Sequence, residues 1–334
     1  MCCLFGLIDI HHQLPGAEKN RIISILAEAS EVRGIDATGY ACNSRGKLII
    51  EKHPLPAHRM KFHIPQDAYV IMGHTRMTTQ GLAQRNRNNH PFFGKVQGMP
   101  FALAHNGVLS NDDTLKKKYN LPHSKIETDS YVAVQLLERK NTLDLESVKY
   151  MAEQVTGTFN FTILDRTNRI YFIKGNNPLC LYYFKQAGFY LYASTKAILE
   201  EALEEMGYQN LPHEEIMIRD GEILLMDEKG EMTWARFSAP VNYSNYYMCD
   251  FWEPTKTEPT GYYKFMLEFA ESFGVPKREL DWLHQMGYST YDIEECIFSS
   301  SYRSMYLMES GYYDDMEDEL YECDYDGFRS YAWV

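Results

Sequence analysis

The sequence predicts an α+β fold built of packed layers with antiparallel sheets. Three observations point there. Strand-like and helix-like segments come in blocks rather than in strict alternation, which disfavours a doubly wound parallel sheet. Strand signals crowd together at 158–164, 170–173, 179–184 and 189–192. Apolar residues make up 45% of the 334, enough for a sizeable core in one large domain plus a small one, or in two modest ones.

The elements follow in order. Residues 4–10 (LFGLIDI) form a mostly buried strand, and 18–32 place Ile22, Ile25, Leu26 and Ala29 on one helical face. Gly39–Cys42 and Leu48–Ile50 flank Ser44-Arg45-Gly46 as a hairpin. Ala68–Met72 and Phe101–Ala104 are short apolar strands, each ending in a turn that contains Gly or Asn. Thr128–Arg139 carries Val132, Leu136 and Leu137 at helical spacing; 195–206 is helical, and 222–226 and 232–237 are the last strands. The texture changes near residue 238. Residues 238–260, with Pro240, Pro254 and Pro259, are expected to be a linker or wrapping segment. Residues 261–310 are expected to form a small helical module, with Pro276 opening one helix, Gly287 closing it, and Ser289 or Thr290 capping the next, 291–298. Residues 311–334 form an acidic, aromatic tail.

The charge balance, 33 basic against 46 acidic residues for a net −13, argues against a nucleic-acid or anionic-membrane binder. Eight of those acids sit between Asp314 and Asp326 with no base among them. No run approaches the roughly eighteen apolar residues of a membrane span, and the start lacks a signal-peptide pattern. Seven scattered cysteines without a Cys-x-x-Cys pair suggest neither a disulfide framework nor a zinc site, and fit a reducing cytoplasm.

Cys2 directly follows Met1. Trimming of the methionine would put a thiol and a free α-amine on one residue. That amine, with a pKa of about 8, is a usable base near neutrality, and a thiol with a base beside it is an activated nucleophile. Taken alone, Met-Cys is a chance dipeptide. It is followed, however, by Arg33-Gly34-Ile35-Asp36-Ala37-Thr38-Gly39, Gly73-His74-Thr75-Arg76, Asn89-His90-Pro91, His105-Asn106-Gly107 and Thr128-Asp129-Ser130. This ordered set resembles the class II glutamine amidotransferase domain, an N-terminal-nucleophile hydrolase found as the glutaminase half of glucosamine-6-phosphate synthase and amidophosphoribosyltransferase. The resemblance extends over residues 1–237, with Lys174–Leu179 and Tyr192–Lys196 similar to the family's later strands.

The resemblance implies a four-layer αββα sandwich with a small helical C-terminal extension. It also implies hydrolysis of the side-chain amide of L-glutamine through a Cys2 thioester, without a cofactor or metal. Arg76 would hold the substrate carboxylate, as the planar guanidinium fork suits. Asp129 would hold the ammonium, although helix capping by Asp129 is an equally compatible role. Asn106 and Gly107 would form the oxyanion hole, although Asn-Gly is also a common turn dipeptide. Thr79 and His90 would line the glutamine pocket. Arg33, Gly34 and Asp36 would support the nucleophile's loop, with an Arg33–Asp36 pair possible and the glycines serving tight turns. His74, His90 and His105 are not expected to bind metal, because no helical or hairpin spacing brings them together.

One departure stands out. The family usually has Cys-Gly-Ile at its start where this chain has Cys2-Cys3-Leu4, and a glycine backbone with positive φ would be strained by Cys3. If Met1 stays in place, the amine is lost as a base and the enzyme should be inactive. Beyond residue 238 there is no Gly-rich phosphate loop and no phosphoribosyl or nucleotide-binding signature, so ammonia is expected to pass to a synthase subunit, to a partner copy or to water. A short stretch at 280–297 resembles ubiquitin-associated three-helix modules, though a helical cap packed on the sheets is the preferred expectation. Two rival readings remain: an amidase acting on another γ-glutamyl or acylamide substrate, and a glutamine-sensing module without turnover.

Overall fold

The computed structural model describes residues 2–238, 266–267, 270–271, 274–288, 290–298 and 300–313. The expected linker and most of the acidic tail lie outside these residues. The chain divides into two compact units, 1–250 and 251–334.

The first unit holds two sheets. One runs β11 (Glu214–Glu215), β9 (Cys180–Phe184), β10 (Phe189–Ala193), β1 (Cys3–Asp9), β4 (Val70–Arg76), β2 (Ala37–Ser44), β3 (Lys47–His53). The other runs β13 (Met232–Arg236), β12 (Glu222–Met226), β8 (Ile170–Lys174), β7 (Gly157–Asp165), β6 (Met99–Leu109), β5 (Phe92–Val96). All neighbouring strands are antiparallel.

Alternation along the strands assembles the layers. Cys3, Phe5 and Leu7 of β1 join α1 (Gly16–Ala29) and α5 (Lys196–Met206) in an outer core that includes Ile22, Leu26, Leu199 and Leu203. Leu4 and Ile8 point the other way, into an inter-sheet core with Met72, Ala104, Leu164 and Phe172. The far face of the second sheet packs Phe101, Phe159 and Phe161 against Val132, Leu136 and Met151 of α3 (Tyr131–Lys140) and α4 (Leu145–Gln154). The result is the expected α+β sandwich of four layers.

Several boundaries differ from expectation for clear reasons. The hairpin turn is only Arg45-Gly46, both at positive φ (49° and 67°), and Ser44 stays in the strand. The strands expected to end at turns near Gly73 and Asn106 run straight through, to Arg76 and Leu109. Gly73 is kept in β4 because the Phe5 ring fills the space a Cβ would need, at 2.2 Å. The helix expected from Thr128 starts at Tyr131. Helices α2 (Asp112–Lys118) and α4 were not anticipated, although α4 carries a readable capping box: Ser147 N–H donates to Asp144 Oδ1 (2.8 Å) and Asp144 N–H to Ser147 Oγ (2.9 Å).

In the second unit, α6 (Lys277–Gln285) follows Pro276, and α7 (Thr290–Phe298) is followed by an unanticipated α8 (Ser300–Glu309). The helices share a core of their own that includes Leu280, Leu283, Ile293, Ile297 and Leu307. Among the described residues, no helix is long and apolar enough to cross a membrane.

Candidate active site

The site collects at one end of the inter-sheet seam. The β1–β4 register pairs Cys3 with Thr75 and Leu4 with His74, so Cys2 lies across from Arg76. The Cys2 thiol donates to the Met77 carbonyl at 3.6 Å, and the Cys2 carbonyl accepts from Arg33 Nε at 2.9 Å. Arg33 is fully buried, and this bond ties its guanidinium to the Cys2 main chain. Burial pushes the Cys2 thiol above its ordinary range, opposed by the nearby Arg76 and Arg33 charges. A thiol kept protonated in this way needs a base to become a nucleophile.

Cys3 sits where the family usually has glycine, but no strain results: its φ is not positive and it lies in regular strand. Its fully buried side chain faces the α1 layer, on the opposite side of β1 from Leu4. Its thiol therefore lies in the outer core, away from the inter-sheet seam.

Asp36 does not need Arg33. Its carboxylate accepts the Thr78 N–H (2.7 Å), while its own N–H donates to the Arg76 carbonyl (2.9 Å). Gly34 serves a close approach rather than a tight turn. Its φ of 173° is extended, and a Cβ would lie 2.3 Å from the Arg76 carbonyl carbon.

Arg76, the last residue of β4, is buried and held in a cradle. Its Nη1 donates to Asn89 Oδ1 (2.6 Å) and its Nη2 to the carbonyls of Gln80 (2.6 Å) and Gly81 (3.0 Å). Asn89 Nδ2 donates to the Ala83 carbonyl (2.8 Å), which fixes the amide's orientation. A guanidinium has five donor hydrogens, so capacity remains for an incoming carboxylate. Lys52 supports the cradle, donating to the carbonyls of Asn89 (2.5 Å) and Pro91 (3.0 Å), and burial brings its pKa down to about 8. Nothing in the sequence around Lys52 signals this role. Thr79 is exposed on the loop after β4; it is the neighbouring Gln80 that reaches Asp129, accepting the Asp129 N–H at 3.2 Å.

Asp129 is buried, and its carboxylate does not cap α3. Oδ2 accepts the Leu109 N–H at 2.6 Å and Oδ1 accepts from Ser130 Oγ at 3.2 Å. It thus ties the start of α3 to the end of β6, within the electrostatic reach of Arg76.

Asn106 and Gly107 lie inside β6. Gly107 has φ +140°, and a Cβ there would sit 2.0 Å from the Thr158 carbonyl oxygen, so only glycine fits. Asn106 is buried; its Nδ2 donates to Ser194 Oγ (3.3 Å) and its carbonyl accepts from Asn177 Nδ2 (2.7 Å).

Contrary to the spacing argument, tertiary packing does gather the three histidines. The His90 ring centroid lies 4.2 Å from that of His74 and 6.5 Å from that of His105. The rings are tilted against one another, at 33° and 56°, and among the described residues no cluster of His, Cys, Asp and Glu is arranged to hold a metal. Burial lowers His74 to about 3 and His105 to about 4, and His90 well below its ordinary value, so all three are neutral at pH 7. Neutral rings can lie beside the Arg76 charge without repulsion. His90 is buried between the rings of His74 and Phe92, within electrostatic reach of Arg76.

Comparison with known proteins points the same way. Residues 74–201 match the model of a glutamine amidotransferase domain. The glutamine–fructose-6-phosphate aminotransferase (isomerizing) of Listeria monocytogenes is 30% identical over 259 residues, 73% of this chain and 40% of that protein. A 7-cyano-7-deazaguanine synthase of Sulfurisphaera tokodaii is 25% identical over 250 residues, 69% of this chain and 52% of that protein. The chain therefore spans about half the length, or less, of these relatives. The fold is shared with a solved glutamine phosphoribosylpyrophosphate amidotransferase from B. subtilis, with a TM-score of 0.55 at 22% identity over 71% of this chain and 49% of that one. It is also shared with a structure described as the allosteric regulatory enzyme of purine biosynthesis, with a TM-score of 0.57 at 23% identity over 72% of this chain and 50% of that one. The chain carries a glutamine amidotransferase domain of the class II, N-terminal-nucleophile type.

Proposed function

We propose that this protein hydrolyses the side-chain amide of free L-glutamine, with Cys2 as nucleophile and as base, and releases glutamate and ammonia. The observation that carries the reading is the convergence, at one end of the seam, of a half-buried thiol, a cradled buried arginine, a buried aspartate and an Asn-Gly pair on the facing sheet.

With Cys2 as first residue, its α-amine takes the thiol proton and the thiolate attacks the amide carbon. The carbonyl electrons move to oxygen, where the Asn106 amide and the Gly107 N–H donate to the oxyanion. The protonated amine then passes its proton to the amide nitrogen, the C–N bond breaks and ammonia leaves a thioester. Water, deprotonated by the same amine, attacks the thioester; the C–S bond breaks and the thiolate recovers a proton. Arg76 holds the substrate α-carboxylate and Asp129 its α-ammonium, which selects a free amino acid over a peptide amide. Thr79 and His90 complete the pocket, one at its open rim and one behind it.

Ammonia passes to an acceptor carried by a partner, either a synthase subunit or a second copy of this chain. The five described cysteines are all free, which suits a thiol enzyme in a reducing cytoplasm. The test is to incubate the Met-trimmed protein with glutamine and measure ammonia and glutamate. Equimolar release that is lost in Cys2→Ala is expected. Glutamine binding without release would instead indicate a sensor, and turnover of other amides but not glutamine a different amidase.

A further inference from the structure

The two halves of the site belong to different sheets. Cys2 leads into β1, and Asn106 lies on β6 across the seam. An oxyanion donor is useful only at a fixed distance from the attacking sulfur, so something must hold the two sheets in register at this point.

Ser194, between β10 and α5, touches both. Its Oγ accepts the Leu4 N–H at 2.8 Å and an Asn106 Nδ2–H at 3.3 Å. Both donors are N–H groups, so both lone pairs of the hydroxyl oxygen are engaged. The residue is fully buried, and the bonds join positions 190 and 88 residues apart in sequence. Ser194 is itself anchored on each side: Ala193 pairs with Phe5 of β1, and Thr195 caps α5 by accepting the Ile198 N–H at 3.2 Å. The main chain of Asn106 is held separately. Asn177 Nδ2 donates to its carbonyl (2.7 Å), and Asn160 Nδ2 in turn donates to the carbonyls of Asn177 and Pro178 (2.6 and 2.8 Å). The backbone of Asn106 is thus clamped by Asn177, and its side-chain amide is bonded to Ser194. The terminal torsion of an asparagine is broad, so this bond is what selects one orientation.

We infer that Ser194 is a positioning residue for amide hydrolysis: it aims the Asn106 amide at the oxyanion and locks that amide to the strand that carries the nucleophile. The inference rests on the function proposed above. Because the oxyanion exists only after attack, losing the bond should lower kcat and leave KM for glutamine nearly unchanged.

The experiment is a double-mutant cycle of Ser194→Ala and Asn106→Ala, with ammonia release followed and folding checked by circular dichroism and thermal melting. Ser194→Ala should lower kcat roughly 10- to 100-fold, with KM within about twofold of wild type. In the Asn106→Ala background the same change should have little further effect, within about twofold, because the group it positions is gone. A serine with a merely structural role would give the same fold loss in both backgrounds, and that result overturns the inference. A kcat for Ser194→Ala within twofold of wild type does so too. If the alanine variant does not fold, Ser194→Cys, close in shape but a weak acceptor, should show the same kcat loss while keeping the wild-type circular dichroism spectrum. Wild-type protein that folds but releases no ammonia overturns the proposed function together with this inference. Normal wild-type turnover with an indifferent Ser194 overturns this inference alone.

Discussion

Both ends of β1 bury charge, and they treat it differently. At the Asp9 end, Asp9 and Lys19 form an ion pair at 3.1 Å with both side chains fully buried. Every strong partner is supplied: Asp9 accepts the N–H groups of Gln13 and Leu14 (both 3.2 Å), and Lys19 also donates to the carbonyls of Gln66 (3.1 Å) and Ala68 (2.8 Å). At the Cys2 end, buried polar atoms are left without partners: Nδ1 of His74, both ring nitrogens of His90, Nε2 of His105, and the hydroxyls of Thr78 and Thr128. Asn177 Oδ1, beside Gly107, is another. Buried polar groups normally find partners, and exceptions beside a cradled arginine fit the proposed site, where a polar substrate would meet them. One end of the strand is closed by its interactions and the other is held open at a cost.

This contrast makes opposite predictions for the two ends. The largest stability effect belongs to the closed end. Lys19→Met strands a buried carboxylate and should destabilise the protein by about 3–5 kcal/mol, while kcat and KM of the protein that remains folded stay at wild-type values. Chemical denaturation and steady-state kinetics read the two quantities separately. At the open end the pattern should invert. Asn106→Ala should raise the barrier by about 2.7–4 kcal/mol, a fall in kcat of several hundredfold, with a small change in melting temperature. Arg76→Lys keeps the charge but loses the fork that donates to Asn89, Gln80 and Gly81. It should cost about 1.5–3 kcal/mol of glutamine binding, read as a raised KM.

The most gradual effect is the response to acid. The three clustered histidines stay neutral in the fold, His74 down to about 3 and His105 to about 4, and take up protons when the chain unfolds. Their contribution is complete above the unfolded histidine pKa of about 6.5 and is lost as pH falls from there toward the folded values. The slope is up to about 1.4 kcal/mol per pH unit for each ring. His74→Phe should flatten that slope in denaturation measured between pH 7 and 5.

The same contrast explains what the sequence disclosed. The layer order and the open end were legible because strand alternation is local and because the chemistry-bearing residues come in short motifs. The closed end carries no motif: Asp9 and Lys19 are common residues ten positions apart, and only packing makes them a buried pair. Asn106-Gly107 and Gly73 looked like turns because the reasons those residues stay in strands, a Thr158 carbonyl and a Phe5 ring, come from other strands. The histidine cluster escaped a spacing argument for the same reason, as it is assembled from two strands and a loop. Ser194 could be seen as part of a strand-end pattern, but its two partners, on β1 and β6, could not.

The central claim is that Cys2 attacks glutamine with its own amine as base. Its most direct measurement is peptide mass spectrometry of enzyme acid-quenched during turnover of isotopically labelled glutamine. An N-terminal peptide that begins at Cys2 and carries one labelled glutamyl group as a thioester is expected. Active enzyme that keeps Met1, or that carries the label on another residue, would contradict it.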